Sequence, residues 1–345
     1  MLNCRKYIKM WKIVILVVIT ISAFCLIVQA AEKPKELFVS TFGGDYLNNM
    51  KVNLPAFEKE YNCKVTFVEG SGAEAHIRAR NKEVDVVLSD QMYSARGVIE
   101  GLYEELDEKS IPNLKDLYDS ARMSKYYVAV DIGVHAIAYN PKFVEKPTSW
   151  LDLWKPEYKD KVSMRSFRAE SIGLLVLMAK LNGGDERNID PGFKKMAELS
   201  KNNIPIWFDS HPQSLTLMKE GEIWLELTTD GRALEMKDEG ADVEFAIPEE
   251  GGFMMVSTIS VIKGRPNIEL AKAFVNWKLS YDPQLTMTSL YAPTNKTVKI
   301  PSNIRKLYSH DPKIVEKLIN VDWEYIVTKL DEWLERWNKE VIGSR

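Results

Sequence analysis

Three short segments contain the residues best suited to bind a small molecule. Thr41-Phe42-Gly43-Gly44, Gly70-Ser71-Gly72 and Ser89-Asp90 each follow a strand-like run and precede a helix-like one. Glycine lets the backbone approach a ligand closely, and free N–H groups in a first helical turn bind polar groups. Nucleotide binding is only weakly indicated, because the Walker pattern is absent and Gly70-Ser71-Gly72 lacks a third glycine. The segments predict a binding pocket, with ordinary strand-to-helix turns as the alternative for each.

The sequence lacks the motifs of common hydrolases. It contains neither a Gly-x-Ser-x-Gly elbow nor a His-Glu-x-x-His helix, and Cys63 has no histidine beside it. The acidic pairs Glu104-Glu105 and Glu249-Glu250 are typical of solvated turns, because nothing places them across a pocket. We therefore predict that the protein is not an enzyme and uses no cofactor.

A metal site is also not indicated by the spacing of possible ligands. The histidines lie far apart, without the spacing of a zinc site, at His76, His135, His211 and His310. A ferric-ion carrier would bind iron through tyrosinates, and Tyr126-Tyr127 raises that alternative. However, adjacent residues of a strand point to opposite faces. We predict no metal ligands, and the ferric carrier stays a minor alternative.

The predicted elements place the three loops at one edge of a sheet. Apolar patterns predict strands at 36–41, 64–69 and 84–88, with helices at 46–61 and 73–81 between them. Such βαβαβ units form a mostly parallel sheet, and ligands bind beyond the carboxyl ends of its strands. The alternation continues with strands at 128–139, 204–208, 223–228, 243–246 and 254–262, and with helices at 172–182, 193–202, 214–220, 270–279 and 314–341. Two α/β lobes with a cleft between them are expected.

The first thirty residues predict an export signal. Four basic residues between positions 5 and 12 precede an apolar run at 13–28, and Val28-Gln29-Ala30 offers the small residues of a cleavage site. The apolar run is shorter than the roughly 20 residues that span a bilayer. An uncleaved anchor and lipidation at Cys25 stay open as alternatives. The predicted location is periplasmic or extracellular.

Length and charge fit an exported two-lobe protein. The 345 residues exceed the usual size of one domain. Removing the four basic leader residues from 46 leaves 42 basic against 49 acidic residues, a net charge of −7. An acidic chain without a basic stripe is a poor candidate for nucleic-acid binding. Only Cys63 follows the leader, so no internal disulfide is expected, and a chain of this length can bury a sufficient core without one.

Several segments resemble a known family. The chain is similar to the extracellular solute-binding proteins of ABC importers, and in particular to the periplasmic spermidine/putrescine-binding proteins. The similar segments are FEKEYNCKVTFVEG (57–70), EVDVVLSD (83–90), EGLYEELD (100–107), PTSWLDLWKPEYKDKV (147–162) and YAPTNKTV (291–298). The tail VDWEYIVTKLDEWLERWNKEV (321–341) is similar to that of related members.

The resemblance implies a fold and partners. The fold would be an α/β two-lobe periplasmic-binding-protein clamshell of type II, each lobe a mainly parallel sheet flanked by helices. The first lobe would hold 31–130 and about 257–297, the second 131–256 and about 298–345. A monomer would capture a small-molecule solute and deliver it to an ABC permease and its ATPase in the membrane. Ligand would favour the closed form, which requires contacts from both lobes. A ligand-binding sensor subunit for a membrane receptor is the alternative.

The same resemblance raises a question about the substrate. Polyamine binding needs carboxylates for ammonium groups and aromatic faces for methylenes. Where the polyamine proteins carry a tryptophan and an aspartate, this chain carries Met254 and Val256. Where they carry another tryptophan, Thr229 stands, although Asp230 follows it. The polyamine site is therefore expected to be altered.

An arginine-bearing segment points in the same direction. The acidic cluster expected there is replaced by Arg165-Ser166-Phe167-Arg168, with Glu170 as its acidic residue. An arginine fork suits a carboxylate or phosphonate better than an amine. We expect a polyamine-like ligand or a zwitterionic or anionic relative, with Asp90 or Asp230 facing any amine.

The predicted ligand-binding residues come from both lobes. They are Thr41, Phe42, Gly43, Ser71, Ser89, Asp90 and Tyr93 in the first lobe, Ser166, Arg168, Thr229 and Asp230 in the second, and Ser257 and Tyr291 near the hinge. Phe42 and Tyr93 would be aromatic walls. Structural alternatives stay open, because Asp90 could cap a helix, Arg168 could form a surface ion pair, and Tyr93 or Tyr291 could simply pack.

Overall fold

A single mixed sheet runs through the protein in the computed structural model, which describes residues 34–208, 211–304 and 306–344. The predicted leader at 1–30 lies outside the described residues. The strands of this sheet are β1 (Lys35–Thr41), β2 (Cys63–Glu69), β3 (Val86–Asp90), β4 (Val128–Tyr139), β5 (Val162–Arg165), β6 (Ile206–Phe208), β7 (Leu225–Thr229), β8 (Glu244–Ala246) and β9 (Phe253–Val261). None of the helices in these ranges has the length and apolar character needed to cross a bilayer.

The strand order is β2-β1-β3-β9-β4-β7-β5-β6, with β8 paired to β4. β1 is parallel to β2 and β3, and β5 is parallel to β6 and β7. β4 and β9 lie in the middle and are antiparallel to each other and to their outer neighbours. Each half of the sheet therefore keeps the parallel βαβ arrangement that the sequence predicts.

Helices connect most of these strands. In chain order they are α1 (Asp45–Val52), α2 (Leu54–Glu60), α3 (Gly72–Arg80), α4 (Gln91–Ile99), α5 (Ala169–Leu181), α6 (Asp190–Asn202), α7 (His211–Lys219), α8 (Asp230–Asp238), α9 (Ile268–Lys278), α10 (Tyr281–Thr286), α11 (Pro312–Val315), α12 (Trp323–Ile326) and α13 (Leu330–Arg336). Short 3-10 turns lie between some of them, and a π-helical turn, Trp337–Val341, follows α13.

Two helical predictions differ from the structure, and a helix beside the cleft was missed. The predicted helix 46–61 is two helices separated at Asn53, because Pro55 in the first turn of α2 cannot donate a backbone hydrogen bond to the preceding turn. Helix α8 was not predicted; the Thr229 hydroxyl caps it by accepting from the backbone N–H of Arg232 at 3.2 Å. The predicted continuous helix 314–341 is a series of short helices.

The two largest hydrophobic cores of the described residues lie on the two sides of the middle strands. The first contains Phe57, whose ring centroid lies 5.5 Å from that of Phe274 on α9. The second contains Trp150 together with Trp333 of the tail. Val315, also in the tail, packs in the first core. Two cores agree with a two-lobe protein, while the lobe boundaries given above stay predictions.

The strands β4 and β9 connect the two cores. β4 is buried at every position, with its first residues in the first core and its last residues in the second. A register shift between Ala129 and Asp131 marks a β-bulge against β9. The Asp131 carboxylate accepts from the backbone N–H of Ser257 at 2.9 Å and from the Tyr46 hydroxyl at 2.8 Å. This carboxylate therefore ties both connecting strands to helix α1.

Candidate functional site

Two adjoining cavities lie between the lobes. The Arg168 cavity has a volume of about 580 Å³ and is lined by residues that include Ser71, Gly72, Tyr93, Arg165, Arg168 and Glu170. The Phe42 cavity has a volume of about 600 Å³ and is lined by residues that include Phe42, Gly43, Tyr46, Glu235, Ser257 and Leu307. Both are lined by Asp90, Thr229, Arg232, Met255 and Tyr291. These volumes are within the usual range for small-molecule sites, and the two cavities form one cleft with walls from both lobes.

The glycine-bearing loops form the first-lobe wall. Ser71 caps α3 through a reciprocal pair of bonds with Glu74, which leaves the loop before α3 short and ordered. A β-carbon at Gly72 would lie 2.5 Å from Oδ2 of Asp90 and 2.7 Å from Cδ2 of Tyr93. A residue larger than glycine would therefore displace the side chains that face the cleft. These loops lie together at one edge of the sheet, as the sequence predicts.

Asp90 is the acidic group of this wall that lines both cavities, while Asp45 lines the Phe42 cavity alone. Asp90 precedes α4, but its side chain makes no capping bond, so the helix-cap alternative is not realised. The carboxylate is exposed to the solvent of the cleft, and the protein surrounding the cleft desolvates it and raises its pKa, while Arg165 across the cleft opposes that change. Among the described residues it has no ion-pair partner. Asp90 is thus available to a cationic group.

The second-lobe wall contains ion pairs that are already complete. Nε of Arg165 lies 2.5 Å from Oε1 of the buried Glu170, and Nε2 of His135 lies 4.0 Å from the same carboxylate. Burial alone would raise the pKa of Glu170, but His135 and Arg165 lower it below its usual value. Burial lowers the pKa of His135, against the attraction of Glu170. Glu170 is therefore occupied by its neighbours and not by a ligand.

A second internal pair lies at the start of α8. The guanidinium of Arg232 contacts the Glu235 carboxylate, with Nη1 to Oε2 at 2.5 Å. Arg232 lines both cavities, and Glu235 lines the Phe42 cavity. The pair therefore contributes hydrogen-bond donors to the cleft with little net charge.

Arg168 is the basic group without such a pair. It precedes α5, its backbone N–H donates to Oγ of Ser171 at 2.7 Å, and its side chain is exposed in the cleft. Within the described ranges its guanidinium has no acidic partner, so the surface-ion-pair alternative is not found there. The amino end of α5 adds a favourable field for an anion. Arg168 can therefore bind a carboxylate or a phosphonate.

Apolar and aromatic side chains form the remaining surface. Met254, Met255 and Val256 of β9 line the Arg168 cavity. At the other end, the rings of Tyr46 and Tyr291 lie 6.1 Å apart, and burial raises the pKa of Tyr291 to about 12. The tyrosines are therefore neutral at physiological pH, and this surface can pack against methylene groups.

Nine of the thirteen predicted residues line the cleft. They are Phe42, Gly43, Ser71, Asp90, Tyr93, Arg168, Thr229, Ser257 and Tyr291. Whether each one contacts a ligand stays a prediction. The other four, Thr41, Ser89, Ser166 and Asp230, do not line either cavity.

The structure gives each of these four residues another role. Thr41 and Ser89 are buried at strand ends, where the Thr41 hydroxyl donates to the sulfur of Met50 at 3.6 Å. The Ser166 hydroxyl accepts from the indole N–H of Trp337 at 3.0 Å.

Asp230 is the largest departure from the predicted site. Its side chain is 2% exposed, and its carboxylate accepts from the backbone N–H groups of Gly231 at 2.9 Å and Ser309 at 2.9 Å. Asp230 therefore holds the segment at Ser309 against α8, and its position does not support the expected contact with an amine.

Sequence reasoning missed several residues of the cleft. These are Tyr46, His135, Arg232, Glu235 and Met255. Arg232 and Glu235 could have been found from one signal, because a threonine after a strand followed by charged residues is a helix start. Tyr46, His135 and Met255 carry no comparable signal, since only the packing of the lobes brings them to the cleft.

Comparisons with known proteins agree with this fold and cleft. A spermidine/putrescine-binding periplasmic protein of Haemophilus influenzae is 25% identical over 312 residues, 85% of each chain. A putative 2-aminoethylphosphonate-binding periplasmic protein of Salmonella typhimurium is 22% identical over 307 residues, 84% of this chain and 86% of that one. The crystal structure of an ABC transporter protein from Clostridium perfringens superposes with a TM-score of 0.82 and 25% identity, covering 88% of this chain and 99% of that one.

The two-lobe α/β fold with its interlobe cleft is that of a periplasmic binding protein. Residues 81–329 match the model of the bacterial extracellular solute-binding proteins. The chain belongs to this family. The predictions of the fold and of a solute-binding protein of the ABC-transporter class are confirmed.

Proposed function

We propose that this protein captures a small organic molecule carrying both an amine and an acidic group, and delivers it to an ABC permease and its ATPase. The permease would carry the solute across the membrane with energy from the ATPase, while this chain binds the solute without catalysis. Periplasmic or extracellular location after export by the leader is part of the same proposal. It agrees with the periplasmic location in the names of the relatives.

The charges of the cleft carry this proposal. Glu170 and Glu235 are satisfied by Arg165 and Arg232, so these four groups contribute little net charge. In the Arg168 cavity, the groups left without an ion-pair partner in the described residues are the Asp90 carboxylate on the first lobe and Arg168 on the second; the Asp45 carboxylate, which accepts from the side-chain amide of Asn48 at 3.4 Å, lines only the Phe42 cavity. A ligand with one positive and one negative group complements them, and each lobe would hold one end.

Polyamines complement this cleft less well. A polyamine has only positive groups, and Arg168 would then face like charge without compensation. Met254 and Val256 line the cavity where the polyamine proteins were expected to have a tryptophan and an aspartate. The relative named for 2-aminoethylphosphonate makes a zwitterionic ligand a plausible chemistry for this family.

The ferric-carrier alternative has less support. Tyr126 and Tyr127, the residues that raised this alternative, line neither cavity. A sensor subunit for a membrane receptor would use the same cleft and differs only in its partner.

The test is a thermal-shift screen of the chain from residue 31, followed by calorimetry. The probes are 4-aminobutyrate and 2-aminoethylphosphonate, their amine-free counterparts butyrate and ethylphosphonate, and spermidine. A ligand at 100 times its dissociation constant adds about 2.7 kcal/mol of stability. We expect stabilisation by the amine-bearing acids, and stabilisation by spermidine alone would overturn the proposal.

Two substitutions test the two ends of the ligand separately. Asp90→Asn and Arg168→Gln should each weaken binding of the amine-bearing acids by roughly 10- to 150-fold, the loss expected for one charge-assisted hydrogen bond. Asp242→Asn and Arg122→Gln change matched surface residues that pair with Lys142 and Glu108, and should leave affinity unchanged. Equal affinity in the first two variants would refute the assigned contacts.

A further inference from the structure

A buried glutamate in the second lobe has no ion-pair partner in the described residues. Glu226 of β7 has no exposed surface, and neither of its carboxyl oxygens has a hydrogen-bond partner among the described residues. Burial raises its pKa to about 8, so the group is mostly protonated at neutral pH. A buried polar group without a bond costs free energy that an apolar side chain of similar size would not. Its presence therefore requires an explanation other than packing.

The strand register places Glu226 directly beneath the cleft wall. Glu226 pairs with Ser163 of β5 and with Ala138 of β4, so these side chains share one face of the sheet. Two residues further along the same face lie Thr228 on β7 and Arg165 on β5, and both line the Arg168 cavity. Glu226 is thus one residue pair below the surface of that cavity.

The wall above Glu226 is also polar and incompletely bonded. The hydroxyl of Thr228 is buried without a hydrogen-bond partner in the described residues. Its neighbour on β4 is Ala136, which presents no polar atom. The Ser163 hydroxyl donates to the carbonyl of Ile206 at 2.8 Å and is not available to Glu226. Thr228 and Glu226 therefore follow each other from the cavity into the lobe, and the Thr228 hydroxyl is near enough to the Glu226 carboxyl group to lower its pKa.

The charged and hydroxyl groups around Glu226 leave it without a counter-charge. The hydroxyls of Thr228 and of Ser214 on α7, together with Arg165 on β5, lower its pKa, while Glu170 on α5 raises it. Arg165 is itself bonded to Glu170. The facing residues of β4 are alanines. A cationic group bound in the cavity would supply the counter-charge that this carboxyl group lacks.

We propose that Thr228 and Glu226 form an ammonium subsite in the second-lobe wall, in which the Thr228 hydroxyl accepts a hydrogen bond from a ligand amine and Glu226 supplies negative charge behind it. Asp90 faces the same cavity from the first lobe, so an amine would be held from both sides. This subsite deepens the proposed function and rests on the ligand's having an amine.

The subsite couples binding to a proton. When an ammonium group occupies it, the O–H bond of the Glu226 carboxyl group breaks and the proton passes to the solvent buffer. An opposite charge at this range lowers a carboxyl pKa by about 1 to 3 units. Roughly 0.4 to 0.9 of a proton is therefore released for each ammonium bound at pH 7, and ammonium affinity rises with pH as Glu226 loses its proton.

The experiment uses ethylammonium chloride as the probe, so that it does not depend on the natural ligand. The side-chain carboxyl groups are labelled with carbon-13, and the NMR signal of Glu226 is the one that is absent from Glu226→Gln. The pH titration of this signal is measured in ethylammonium chloride and in sodium chloride of equal concentration. The titration midpoint should be lower in ethylammonium by about one unit or more. An unchanged midpoint overturns the subsite.

Affinity provides the second measurement. Glu226→Gln should weaken ethylammonium binding by about tenfold or more, the equivalent of one pKa unit or more, whereas Glu222→Gln, an exposed control just before β7, should not. A lower midpoint without binding of any amine-bearing acid would retain the subsite and refute the proposed function. If Asp90→Asn and Arg168→Gln weaken binding of those acids while Glu226→Gln leaves it unchanged, the proposed function is retained and the subsite is refuted.

Discussion

A buried lysine beside the connecting strands permits a sharp test of how this fold is stabilised. Lys278, the last residue of α9, has no exposed surface, and its Nζ has no hydrogen-bond partner in the described residues. It lies 5.6 Å from the ring centroid of Tyr46, whose hydroxyl donates to Asp131. Burial lowers the pKa of Lys278 to about 8, and Asp131 partly opposes this. Burial likewise raises the pKa of Asp131, while Lys278 lowers it.

The pKa of Lys278 gives the size and the sign of its effect. A decrease from 10.5 to about 8 corresponds to about 3 kcal/mol against the charged native state. Because the folded pKa is the lower one, the penalty is complete below pH 8 and disappears as pH rises toward 10.5, where the unfolded chain also loses its proton. Stability should therefore rise over that interval in the wild type, and this rise should be absent from Lys278→Met.

The single and double substitutions should not be additive. Asp131→Asn leaves the Lys278 charge buried without its counter-charge, and should destabilise the protein by about 3 kcal/mol. Lys278→Met/Asp131→Asn removes both charges, and should lie within about 1 kcal/mol of the wild type. Urea unfolding of the four proteins at pH 7 measures the coupling between the two sites. A double variant whose loss equals the sum of the single losses would refute this account of the pair.

Three further predictions concern the cleft and the buried acids. Gly72→Ala places a β-carbon 2.5 Å from Oδ2 of Asp90, so calorimetry should find amine-bearing acids bound about tenfold more weakly, with urea stability changed by less than about 1 kcal/mol. Asp230→Ala removes the bond to the Ser309 backbone and should cost about 1–3 kcal/mol in urea unfolding; a large loss of affinity with unchanged stability would contradict its structural role. The pKa of Glu226 is about 8 in the folded protein, against an unperturbed value of 4.5. Between these values the native state binds more protons than the unfolded chain, so the free energy of unfolding should fall by about 3 kcal/mol as pH rises from 4.5 to 7. Urea unfolding of Glu226→Gln over this pH range should lack the decrease.

The sequence was most informative where pattern and local chemistry decide the structure. The strand β4 was predicted with its observed limits at 128–139, because its apolar run is long and buried on both faces. The loops at Gly43 and Gly72 were found from glycine placement after strands. These features depend on neighbouring residues alone, and the two-lobe architecture follows from repeating them.

The side chains that face the cleft were harder to predict. Phe167 has a φ of 42°, in the left-handed region, and this turn directs Ser166 to Trp337 while Arg168 reaches the cleft. Neighbouring residues of one segment therefore have opposite roles, and spacing alone could not assign them. Asp230 was assigned to the ligand for the same reason, since its bond to a backbone group 79 positions later is invisible in the sequence.

The connecting strands explain why the ligand should touch both lobes. β4 and β9 are joined by the hydrogen bond between Asp131 and Ser257, and a few residues away they carry His135 and Met255 on the surface of the cleft. A molecule resting only on these strands would contact the same atoms in open and closed forms, and would shift neither population. Contacts with Asp90 at one end and Arg168 at the other can form together only when the lobes approach. We therefore expect butyrate, which complements only Arg168, to bind without closing the lobes, whereas 4-aminobutyrate should close them; a decrease in the radius of gyration by small-angle scattering with butyrate would show this reasoning to be wrong.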